Sequence, residues 1–184
     1  MTAKCPICKQ PATQKFGLKL FCGYEHAAQW AKSSLDKRKA KEKVEARKID
    51  REKLKSLKTR SEWLKELQTI FNKFIRLRDK SLPCVSCGRF HQGQWHAGHY
   101  LSVGAHPELR FNELNVWRQC QPCNAHLSGN LINYRVELIK RIGLAEVERL
   151  EGPQLPLKLT IPEIQELIKT YKAKCKELLS SSDQ

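Results

Sequence analysis

Two Cys-x-x-Cys pairs, Cys84-Val-Ser-Cys87 and Cys120-Gln-Pro-Cys123, stand 32 residues apart, and the segment between them carries His96 and His99 in QWHAGHYL. Four thiolates complete a tetrahedral structural zinc site with no nitrogen ligand. Both histidines are therefore spare. Directly after the last cysteine come Asn124, then His126 and Asn130. A second polar cluster beside a filled zinc site has the parts of a functional constellation.

A separate set, Cys5, Cys8, Cys22 and His26, follows a C-x2-C-x13-C-x3-H spacing. Three thiolates and an imidazole suit a second closed zinc site, and so short a segment draws most of its folding free energy from the metal. Seven of the eight cysteines fall in these spacings. The eighth, Cys175, lies on an apolar helical stripe and reads as a small core residue. No stretch approaches the length of a membrane span, and MTAKCPICKQ is no signal sequence. The expected setting is soluble and intracellular, where paired thiols serve metals rather than disulfides.

The elements that must position these residues are legible in outline. Residues 31–60 are rich in Lys, Arg, Glu and Ala without Gly or Pro, which predicts a helix. Its large apolar residues, Leu35, Val44, Ile49, Leu54 and Leu57, follow no 3.5-residue seam, so a coiled coil is not expected. Residues 61–79 place Trp63, Leu67, Ile70, Phe71, Phe74 and Ile75 on one helical face. Near the C-terminus, Thr160 and Glu163 form a capping box before an apolar face of Ile164, Leu167, Ile168, Tyr171, Cys175 and Leu178. That face needs cover, from residues 63–75 or from a second copy of the chain. Between the cysteine pairs, QWHAGHYL has the composition of a short strand, and the second pair leads into a helix.

The fold class is therefore α+β and mostly helical. Its expected segments are an N-terminal CCCH-type zinc finger (1–30), a basic helical arm (31–60), a zinc core on four cysteines (61–150) and a C-terminal amphipathic helix (151–184). Of the net charge of +15, ten units fall between residues 31 and 80. Such a block favours a polyanion, most often nucleic acid, and the lack of a wide apolar face disfavours a membrane surface. Lys37, Arg38, Lys41 and Lys48 on the arm, with Arg118 and Arg135 in the core, are the candidate DNA contacts. Arg118 and Arg135 could equally be solvated charges, and the alternative for the arm is a solvated helix kept soluble by its charge.

Taken together, CPIC, CVSCGRF, HAGHY, FNELNVWRQCQPCN and LSGN resemble the NinG (Rap) recombination-endonuclease family of phage lambda and, more widely, the zinc-supported HNH nucleases. The resemblance implies a ββα-metal or treble-clef core in 61–150, making that segment an HNH-like nuclease domain. It also implies hydrolysis of branched DNA, Holliday junctions and D-loops among them, leaving 5′-phosphate and 3′-hydroxyl ends. His99 then corresponds to the general base and Asn115 to the Asn that ties its loop. Asn124 corresponds to a ligand of a catalytic Mg²⁺ or Mn²⁺, alongside two structural Zn²⁺.

Many members carry Asp or His just before the base as a second metal ligand, where this chain has Gly98. His96 is the expected substitute, as ligand or phosphate contact, provided that Gly98 bends the strand; an orienting hydrogen bond is its other reading. Two nicks across a junction imply a homodimer, with the 164–178 stripe as its candidate surface. Phage or host recombination proteins are further expected partners. The implied setting is the host bacterial cytoplasm. The competing expectation is a zinc-stabilised module that binds DNA or RNA without cutting it.

Overall fold

A computed structural model describes residues 3–181. The outer limits of the expected segments 1–30 and 151–184 lie at residues 1–2 and 182–184, outside the described residues. The chain forms two compact units, residues 1–58 and 59–184, and its class is α+β and predominantly helical.

In the first unit a short antiparallel hairpin, β1 (Gln14–Phe16) and β2 (Lys19–Phe21), precedes helix α1 (Tyr24–Ser56). Gly17, at φ 62°, turns the hairpin in a conformation that glycine adopts without a steric penalty. Phe21 is buried against Trp30 and Phe16, a small core that surrounds the first cysteine cluster. The finger and the arm share one continuous helix, because nothing between His26 and residue 56 breaks it. At 33 residues α1 runs roughly 50 Å. Beyond Ala27 it buries none of its residues, as the missing apolar seam leads one to expect.

In the second unit, helix α2 (Arg60–Arg78) starts at a complete capping box: the Thr59 hydroxyl accepts from the Glu62 backbone N–H, and Glu62 accepts from the Thr59 N–H. A cysteine knuckle at Cys84–Cys87 leads to hairpin β3 (Trp95–His99) and β4 (Val116–Cys120). One wide π-type turn (Pro122–His126) follows. Helices α3 (Leu131–Ile142), α4 (Leu144–Glu151) and α5 (Ile161–Ser180) complete the unit.

Two cores flank the hairpin. On one side α2 and α5 pack together, with Trp63, Leu67, Phe71 and Phe74 meeting Ile164, Ile168, Tyr171 and Cys175, and Val116 of β4 joins them. On the other, Val85, Tyr100, Leu109, Tyr134, Leu138, Val147 and Leu150 form a second cluster. The 164–178 stripe is thus covered by α2 of the same chain, which corrects its candidacy as a dimer surface. The reason is complementarity: two capped amphipathic helices in one chain each need a partner, and each supplies the other's.

Candidate active site and its zinc supports

The two cysteine knuckles are built alike. In each, the residue after the second cysteine is left-handed, Lys9 at φ 64° and Gly88 at φ 64°. Lys9 N–H donates to Cys5 O at 2.9 Å and Gly88 N–H to Cys84 O at 2.9 Å. The first cysteine's N–H donates onward to Gln10 O at 2.8 Å or to Arg89 O at 3.0 Å. This turn brings two sulfurs of each pair to one side. Cys22, just after β2, and His26, in the first turn of α1, complete the first cluster, with His26 Nδ1 2.8 Å from Cys22 Sγ. Cys120 at the end of β4 and Cys123 in the wide turn complete the second.

In each cluster the four ligand atoms lie within 4.8 Å of one another. Zinc–sulfur bonds of about 2.3 Å in a tetrahedron would place sulfurs about 3.8 Å apart, so both donor sets fit the metal. Around the second cluster, His91 Nε2 lies 3.1 Å from Cys87 Sγ and Asn130 Nδ2 donates to Cys123 Sγ at 3.6 Å. Such outer hydrogen bonds moderate thiolate charge and orient the ligands. His91 belongs to neither ligand spacing in the sequence; only the folded knuckle places it beside Cys87.

The hairpin then positions His99. Its ladder runs unbroken from Trp95↔Cys120 to His99↔Val116. His99 is the last residue of β3, and its Nε2–H donates to Arg110 O at 3.0 Å. A carbonyl only accepts, so Nε2 carries the proton and Nδ1 keeps the lone pair. Burial lowers the pKa of His99 below the 6.5 of a free imidazole; the bond to Arg110 O opposes the shift, and the Arg110 charge adds to it. The ring is therefore a neutral base at pH 7.

Asn115 is wholly buried and clamps the loop that holds His99. Its Oδ1 accepts from Leu101 N–H at 2.9 Å, while its Nδ2 donates to Leu101 O at 3.0 Å and Leu109 O at 3.3 Å. Arg110, whose carbonyl holds the base, follows Leu109 directly. Tyr100, next after His99, donates its hydroxyl to Glu151 on α4.

His99 and Asn124 line one open cleft of about 650 Å³ together with Gln68 and Asn72 of α2, Arg110, His106 and Ser128. Gln68 Oε1 accepts from Arg110 Nε at 2.7 Å, setting the guanidinium at the cleft wall. Sequence reasoning missed Gln68, Asn72 and Arg110. The first two form a polar i, i+4 pair on an amphipathic helix with many other polar residues, and Arg110 looks like any loop arginine. His106 is half-buried in this wall and paired with Glu108 at 3.1 Å.

Several other expected site residues take different places. His96 stays on the face of β3 opposite His99, because the regular ladder contains no bend at Gly98. It does not line the cleft, and its buried Nε2 has no hydrogen-bond partner. Arg118 lies over the Trp95 ring at 3.7 Å and donates to Lys80 O at 2.6 Å, which makes it a tie between β4 and the end of α2. Arg135 forms a two-pronged pair with Glu151, at 2.7 and 2.9 Å. His126 is exposed on the wide turn. Lys37, Arg38, Lys41 and Lys48 are all exposed on α1, with Arg38 near Glu42 and Lys48 near Glu45.

A family model described as Bacteriophage Lambda NinG protein matches residues 1–180. The chain is 41% identical over 196 residues to Protein ninG of Escherichia phage 933W, covering 98% of this chain and 96% of that protein. It is 47% identical over 129 residues to Protein ninG of Escherichia phage lambda, covering 70% and 63% of the two chains. To Protein ninG of Salmonella phage P22 it is 46% identical over 129 residues, covering 70% and 64%. No solved structure matches significantly. With the family model spanning nearly its whole length and relatives at this identity, the chain belongs to the NinG family of bacteriophage proteins.

Proposed function

We propose that this chain is a metal-dependent, structure-selective DNA endonuclease of the HNH type, acting on branched recombination intermediates such as four-way junctions. The observation that carries the reading is the setting of His99. One ring nitrogen is committed to a backbone carbonyl, the other keeps its lone pair, and the ring shares a cleft with Asn124 on a hairpin with zinc-fit cysteines at its base.

His99 Nδ1 takes the proton of the attacking water, and Asn115 holds the loop whose carbonyl fixes the ring. Asn124 Oδ1, a hard neutral oxygen, suits a divalent cation such as Mg²⁺ or Mn²⁺ better than zinc. When bound, that cation supplies stabilisation of the departing 3′ oxygen and of charge on the phosphate. Arg110 stands at the cleft wall as a phosphate contact. The exposed basic face of α1 adds affinity that does not depend on sequence. A four-way junction needs two nicks, so two copies act on each junction.

The test compares wild type with His99→Ala on a labelled four-way junction and a matched linear duplex, in Mg²⁺, Mn²⁺ or EDTA, at equal zinc content. Junction-selective, cation-dependent cleavage that disappears in His99→Ala while binding persists supports the proposal. Junction binding without cleavage by the wild type would instead identify a zinc-stabilised binding module.

A further inference from the structure

Gly98, immediately before the base, has no side chain to offer a cation, yet the space beside it is filled. A β-carbon at Gly98 would lie 2.1 Å from Gln119 Oε1 and 3.1 Å from Asn124 Oδ1. Two amide oxygens therefore converge where a side chain of residue 98 would begin. Gln119 is completely buried on β4, and its Nε2 donates to Ser86 Oγ and to Gly129 O, each at 2.6 Å. Gly129 O can only accept, so the amide cannot be flipped, and the atom facing Gly98 is the oxygen. That oxygen has no hydrogen-bond partner. Buried amide oxygens are ordinarily satisfied, and one left open beside a cleft oxygen marks a place for a bound group.

We propose that Gln119 Oε1 takes the place of the side chain that Gly98 lacks and, with Asn124 Oδ1, binds the divalent cation of the cleft. The inference rests on the nuclease reading and deepens it, since it names the second ligand. Glycine at 98 and glutamine at 119 then form a matched pair: any side chain at 98 would displace the oxygen that replaces it. His96 lies on the same face of the hairpin with an open Nε2. It is not among the atoms nearest the Gly98 position, and a hard cation prefers oxygen to imidazole nitrogen. Two neutral donors also leave the cation's charge uncompensated for the substrate phosphate, whereas a carboxylate at 98 would offset part of it.

The experiment titrates Mn²⁺ into the zinc-loaded full-length protein and reads free Mn²⁺ by electron paramagnetic resonance, with zinc content and thermal melting measured alongside. Wild type should bind one Mn²⁺ per chain. Gln119→Ala should weaken binding by about tenfold or more. Gly98→Asp combined with Gln119→Ala should restore binding to at least the wild-type level, since an aspartate then occupies the vacated space. Gly98→Ala, which leaves Gln119 and its two donor bonds in the chain, should weaken Mn²⁺ binding without loss of zinc; it decides the matter if Gln119→Ala fails to fold. His96→Ala should bind Mn²⁺ like wild type.

Undiminished binding in Gln119→Ala or Gly98→Ala overturns the inference alone, as does a double variant no better than Gln119→Ala. Loss of binding in His96→Ala with retention in Gln119→Ala would reassign the ligand to His96. A wild type that binds no Mn²⁺ removes the cation from the cleft and takes the nuclease reading with it.

Discussion

At the scale of residues, the site depends on which atom of each side chain is already committed. His99 gives Nε2–H to Arg110 O and keeps Nδ1 free, and burial holds its pKa below 6.5. If His99 is the base of the proposed reaction, cleavage should rise with pH along an acid limb whose midpoint lies below pH 6.5, as a logarithmic rate plot would show. The linked stability has the same sign. Below 6.5 the unfolded chain binds the proton more readily than the folded one, so stability contributed by the neutral ring is lost as pH falls towards the folded pKa. His99→Ala should lower the rate by about 10²- to 10⁴-fold, the usual contribution of a positioned base. Asn115 acts through structure. Asn115→Ala strips partners from Leu101 N–H, Leu101 O and Leu109 O, and should cost roughly 3 kcal/mol in urea unfolding. The family resemblance pointed to His99, Asn115 and Asn124. It could not reveal that Gln119 leaves an oxygen open, because a glutamine in a five-residue strand has no signature until its neighbours are known.

At the scale of elements, knuckles and paired helices hold these atoms in register. Gly88 and Lys9 occupy equivalent left-handed positions, although only one is glycine. Gly88→Ala should destabilise the second unit by about 1 kcal/mol, the cost of a β-carbon in that conformation, and Lys9→Gly should not destabilise the first. Differential scanning calorimetry of the zinc-loaded proteins would check both. Helix α5 is a structural partner of α2, so deleting residues 154–184 should expose Trp63, Phe71 and Phe74. The expected outcome is aggregation or loss of cooperative melting; a well-folded monomer would contradict it. Both apolar stripes were legible from their 3.6-residue period. Which surface covers them was not, since periodicity defines a face and leaves its partner open.

At the scale of the whole molecule, charge and chemistry are segregated along the chain. The 1–58 unit carries a long exposed basic helix, while the 59–184 unit holds the cleft. Replacing Lys37, Arg38, Lys41 and Lys48 by Ala should weaken DNA binding and flatten its salt dependence, by about 0.9 in slope for each phosphate that is no longer neutralised. Anisotropy titrations at several salt concentrations would measure this; an unchanged slope would mean that α1 does not touch DNA.

Sequence by itself determined the two metal-fit ligand sets, the two amphipathic helices and the cap of the second, because each rests on local spacing that survives whatever the chain packs against; the candidate base came from the family resemblance. Tertiary structure alone decided that α5 is covered by α2 and that Arg118 and Arg135 are engaged by Lys80 O and Glu151. It also placed His96 behind the strand and left Gln119 Oε1 open beside Gly98. Each of these depends on contacts between distant segments, for which hydrogen bonds are satisfied or left open only once the fold is closed.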